Sequence, residues 1–119
     1  MKRFLAIFLG SDEANAAWNA LPEATRNERV AAGMQAWGQW VARHRDAILD
    51  PGAPLGRTKS ISAAGIADTR NALGAYCIVQ AASHEEAARL FEGHPHFTLF
   101  AGVAVEVMEC LPIPDAPGA

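Results

Sequence analysis

Residues Leu73–His96 admit very few structures. They read Leu-Gly-Ala-Tyr-Cys-Ile-Val-Gln-Ala-Ala-Ser-His-Glu-Glu-Ala-Ala-Arg-Leu-Phe-Glu-Gly-His-Pro-His. The apolar run Ala75–Ala81 predicts a strand. Ser83, with Glu86 three residues on, forms a capping box that starts a helix. Ala87, Leu90 and Phe91 then recur on one face, and Gly93 ends the helix. A strand followed at once by a helix with an apolar stripe predicts a helix laid against a sheet.

The rest of the chain extends that pattern. All six residues of Phe4–Leu9 are apolar, so the strand asks for cover on both sides of its sheet. In a domain with two helices on one face, the other face is left to a second copy. Ser11–Leu21 reads as a loop or short helix. A long helix follows Pro22 and runs to about Ile48, with Val30, Met34, Trp37 and Val41 as its buried stripe and Gly33 and Gly38 leaving room beside it. Asp50-Pro51-Gly52 stops that helix. Arg57–Ser62 is expected as the next strand, Ala63–Asn71 as a turn or irregular hairpin, and Val103–Met108 as the last strand, with Val105 and Val107 on one face and Ala104, Glu106 and Met108 on the other. The order β-α-β-β-α-β predicts an α+β, ferredoxin-like domain: a four-stranded antiparallel sheet with helices on one face, dimerising into an α/β barrel. Residues 1–112 make the domain and 113–119 a tail, within a proline-containing extended stretch that starts at Leu111.

Composition excludes several classes of function. Net charge is −3, the lysines are Lys2 and Lys59, and the arginines are scattered, so no basic stripe offers itself to nucleic acid or to a membrane surface. Met1-Lys2-Arg3 before Phe4–Leu9 imitates a signal peptide. The apolar run is too short, however, and Asp12-Glu13 follows, so the cytosol is the expected compartment. Cys77 and Cys110 read as buried reduced thiols on strands. No spacing calls for a metal or cofactor.

The segment Ala67-Asp68-Thr69-Arg70-Asn71-Ala72-Leu73-Gly74-Ala75-Tyr76 resembles the YCII-related (DGPF) family, in which a stretch similar to Ala-Glu-Thr-Lys-Glu-x-Leu-Gly-Gly-Tyr leads into a strand. The helix Ser83–Glu92, the Gly93-His94-Pro95 ending and the Val-Glu-Val strand match the same family, over about Met1–Pro112. The resemblance implies a dimeric ferredoxin-like barrel with a small pocket between sheet and helices. Two features of the family are missing. Ala63, Ala64, Gly65 and Ile66 stand where one branch carries Asp-Gly-Pro-Phe. Gly33 stands where another carries a helix histidine paired with an aspartate, so that acid–base dyad does not transfer.

Candidate functional residues follow from residue type and position. His94 and His96 flank Pro95 past a helix end, where the negative helix terminus favours imidazolium. His94 is the candidate acid/base, or else a residue that caps the last carbonyls; Asp68 is its candidate acidic neighbour, or else a turn residue or a partner of Arg70. Trp37 and Trp40 wall an apolar pocket or simply fill the core. Arg57 and Lys59 share a strand face; they hold a carboxylate or phenolate, or serve as edge charges. Tyr76 and His96 complete the set of ligand-binding candidates. The expected function is binding of a small organic molecule. A proton-transfer lyase or isomerase and a non-catalytic dimeric interaction module are the alternatives.

Overall fold

The computed structural model describes residues 1–114; residues 115–119 of the expected tail lie outside the described residues. Strand β1 (Lys2–Leu9) leads into helix α1 (Asp12–Asn19) and the long helix α2 (Glu23–Arg43). Strand β2 (Ile48–Pro54) follows, then the strands β3 (Thr58–Ser62) and β4 (Gly65–Thr69). Strand β5 (Leu73–Ala81), helix α3 (His84–Arg89), the short helix α4 (Pro95–Thr98) and strand β6 (Ala104–Glu109) complete the chain. The main sheet has the order β2-β5-β1-β6, antiparallel throughout. That is the expected ferredoxin-like α+β arrangement, with β3–β4 as an added hairpin.

The sheet is two-sided in chemistry. Phe4, Ala6 and Phe8 of β1, with Cys77 and Val79 of β5, are buried under the helices. Phe8 touches Trp37 of α2, Phe91 beyond α3, and His94 and His96 around α4, while Trp18 of α1 meets Phe100, so all four helices lie on this side. Leu5 and Ile7 project the other way, beside Ile78, Tyr76 and Met108. Among the described residues no helix covers that apolar face.

Three expectations about elements are corrected. The second strand of the main sheet is Ile48–Pro54, not Arg57–Ser62. Asp50-Pro51-Gly52 therefore does not stop the helix, which already ends at Arg43. Its two prolines are tolerated because β2 is an edge strand, and its register is irregular at Asp50 and Ala53. Gly52 has φ +70° and packs so closely on the Tyr76 carbonyl that a Cβ would collide with it; Asp50 Oδ1 accepts from the Gly52 N–H at 2.8 Å. Second, β3 pairs only with β4, and every hairpin residue except Thr58 is exposed. The hairpin projects from the body, and the radius of gyration is 17.0 Å, against roughly 13–14 Å for a compact chain of this length. Third, Val30 and Met34 are exposed, and α2 buries Gly33 and Trp40 instead, with Trp37 and Val41 half-buried. The inner face of α2 is turned because the ring of Phe100 sits where a Gly33 side chain would be. Gly38 has open space around it and makes no such contact.

Ser83 caps α3 as the sequence indicates, its Oγ accepting from the Glu86 N–H at 3.2 Å, and Gly93 ends that region with φ +66°. His84, at the start of α3, does more than face solvent. It stacks on Phe4 and its Nε2 donates to the Val107 carbonyl at 2.7 Å, covering one outward group of the edge strand β6. Among the described residues no helix is long and apolar enough to cross a membrane.

Candidate functional site

His94 lies at the centre of the core, 1% exposed. Its ring caps no preceding carbonyl; it starts the next helix. As the N-cap of α4, its Nδ1 accepts from the His96 N–H at 3.0 Å. A neutral ring with an accepting Nδ1 carries its proton on Nε2. That Nε2 is enclosed and has no hydrogen-bond partner among the described residues. Around it stand Trp37 at 4.5 Å and Trp40 at 4.7 Å between ring centroids, both steeply tilted to the imidazole, with Phe8 at 5.2 Å. Burial, with the nearby His96 and His44 adding to it, pushes the His94 pKa down to about 4. The charged imidazolium expected at a helix end is thus overturned: desolvation outweighs the helix terminus.

The space between sheet and helices is accordingly filled. Trp40 is buried and its Nε1 donates to the Leu90 carbonyl at 2.7 Å, tying α2 to the end of α3. Trp37 is wedged among Phe8, His94 and Phe100. Neither tryptophan is among the residues lining the clefts described below. Cys77 is also in this core, and burial pushes its thiol up to about 12, so it stays protonated. Cys110, expected to be buried, is exposed.

Open space lies instead at the strand ends. A cleft of about 570 Å³ is bounded by the β1–α1 junction, the start of β5 and the α4–β6 turn. Ser11, Asp12, Asn15, Asn71 and His96 give it polar groups, and Phe100 and Leu73 give it apolar ones. His96 is held rigidly. Its Nε2 donates to the Leu9 carbonyl at 2.8 Å, its ring edge meets Phe8, and Gly102 leaves no room for a side chain against it. With Nε2 donating, Nδ1 is the acceptor, and no hydrogen bond among the described residues engages it. Ser11 has a structural duty as well, its Oγ capping α1 by accepting from the Ala14 N–H at 2.9 Å.

A second cleft, about 740 Å³, opens at the base of the hairpin and shares Arg70, Asn71 and Leu73 with the first. The two clefts adjoin at these residues, and together they are called the trough below. Arg57, Lys59 and Asp68 line its outer part. Asp68 lies in β4 opposite Lys59, with Oδ1 accepting from Lys59 Nζ at 2.6 Å, so it is neither a turn residue nor the partner of Arg70. Arg70 instead donates to Asp12 at 3.2 Å. The structure therefore divides the candidate residues into three places. His94, Trp37 and Trp40 share the core, with His96 at its border with the trough. Arg57, Lys59 and Asp68 share the hairpin base. Tyr76 lies on the uncovered sheet face, opposite Ile7.

No protein-family model matches the sequence, and no curated protein matches it. Among solved structures, 5-chloro-2-hydroxyhydroquinone dehydrochlorinase from Burkholderia phenoliruptrix AC1100, in complex with 2,5-dihydroxybenzoquinone, is similar with a TM-score of 0.50. The likeness covers 89% of this chain and 90% of that chain at 18% identity. It supports the ferredoxin-like α+β fold.

Sequence reading missed Ser11, Asp12, Asn15 and Asn71. They are short polar residues at element ends, where capping and turn formation already explain them. Asn71 Oδ1 does accept from the Leu73 N–H at 2.9 Å, and only the fold brings that turn beside His96. Gly102 carried no signal at all.

Proposed function

We propose that this chain is a YCII-related domain that binds a small organic molecule in the trough at the ends of β1 and β5. The observation that carries the reading is His96: a half-buried ring among the residues lining a cleft of 570 Å³, clamped through Nε2, with an Nδ1 that no hydrogen bond among the described residues engages. That volume is within the range of small-molecule sites, and a polar group fixed on a rigid frame is what orients a ligand. The dehydrochlorinase with its bound benzoquinone is consistent with a small ligand on this fold. Family membership rests on the strand order and the Gly93-His94-Pro95 ending. A cytosolic setting belongs to the same proposal. Should the domain transfer protons, His96 is better placed as the base than His94, because it is among the residues lining the cleft while His94 is enclosed in the core.

The test is a screen of small aromatic and carbonyl compounds by ligand-observed NMR, repeated on His96→Phe. Binding that disappears in the variant supports the reading. Binding indifferent to the variant, or none across the screen, removes it.

A second reading, dimerisation, is favoured by the bare apolar sheet face. Two copies packed through Leu5, Ile7, Tyr76, Ile78 and Met108 would bury it and form an eight-stranded sandwich of sheets, the α/β barrel expected from the sequence.

A further inference from the structure

The trough has unlike ends. Of the ten lysines and arginines in a chain of net charge −3, three line its outer part, against the single carboxylate of Asp68. Lys59 is taken by Asp68, which accounts for it as an edge charge. Arg57 is different: it makes no ion pair or side-chain hydrogen bond among the described residues. Arg70 spends one of its five donors on Asp12, in a pair between exposed side chains that water and salt weaken. Asn71 has its carbonyl oxygen bound to the Leu73 N–H, so its amide NH₂ is the free end. These groups donate, and the two guanidiniums are positive. At the inner end, Nδ1 of a neutral His96 ring that donates through Nε2 is an acceptor. Between them run Ala72, Leu73 and Gly74, which offer little polarity.

We infer that the ligand of the trough is a small organic acid. Its carboxylate or acidic phenolate meets Arg57, Arg70 and the Asn71 amide, and a hydroxyl or N–H at its opposite end donates to His96 Nδ1. This rests on the small-molecule reading above and narrows its ligand class. The planar fork of an arginine suits a carboxylate, and charge-assisted bonds to it are about twice as strong as neutral ones.

Nitrogen-15 NMR titrations of the full chain distinguish the two claims. The probes are para-hydroxybenzoate, its uncharged methyl ester and inorganic phosphate. The acid is expected to shift the Arg57, Arg70 and Asn71 amides together with the His96 ring, and to bind on the order of tenfold more tightly than the ester. The double variant Arg57→Gln, Arg70→Gln should abolish that difference. Equal binding of acid and ester at His96 and Asn71 overturns the acid class and leaves the binding site standing. Phosphate binding as tightly as the acid, with the His96 ring unmoved, means an adventitious ion only and also overturns it. No shift in the trough with any probe removes both claims.

Discussion

His94 shows how burial reverses a residue-level expectation. The unfolded imidazole titrates near 6.5 and the folded one near 4, so acid favours the unfolded chain. Between those values the unfolded state binds the extra proton and stability falls with pH; below about 4 both states are protonated and the loss from this residue stops. The loss amounts to up to about 3 kcal/mol. Urea denaturation at neutral pH and near pH 4.5 should show it in the wild type and not in His94→Phe, once the shared carboxylate contribution is subtracted. Gly102 offers a second residue-scale outcome. Its substitution by alanine pushes the His96 ring off the Leu9 carbonyl, because a Cβ there collides with the imidazole. Gly102→Ala should lose about 1 kcal/mol of stability, the worth of one hydrogen bond, and most ligand affinity, as read by thermal denaturation and NMR titration.

At the scale of elements, helix α2 separates propensity from packing. Gly33 and Gly38 look alike in sequence, and both weaken a helix. In the structure Gly33 faces Phe100 and Gly38 faces open space. Gly38→Ala should therefore raise stability by about 0.8–1 kcal/mol, and Gly33→Ala should lower it by about 1–3 kcal/mol through overpacking. Equal effects in chemical denaturation would refute the assignment of the buried face. The strand after this helix was legible as a break, because proline and glycine interrupt the periodicity. Its role as a sheet edge was not, since Asp-Pro-Gly more often marks a stop than a bulged strand. Strand β5, capped helix α3 and the alternation in β6 could be read from local pattern, because each contains its own signals.

For the whole molecule, the uncovered sheet face is the main consequence of the fold. Leu5, Ile7, Ile78 and Met108 form an apolar surface in register across three strands, and surfaces of that kind mark interaction sites. Light scattering at micromolar concentration should report twice the chain mass of 12.7 kDa. Ile7→Lys should yield a folded monomer, because Glu106 stands directly across from position 7 and can pair with the new ammonium. A wild-type monomer would rule out the dimer.

Sequence by itself determined the α+β class, the order of the main elements, the capped helix and the demand for cover on both faces of β1. Those properties follow from periodicity and short-range chemistry, which are local. Tertiary structure alone decided which strand joins the sheet, which face of α2 turns inward, and that His94 is a neutral core residue while His96 borders the open trough. These depend on contacts between residues far apart in the chain. His96 against Leu9 and Gly102, or Phe100 against Gly33, have no trace in the pattern around any one of them.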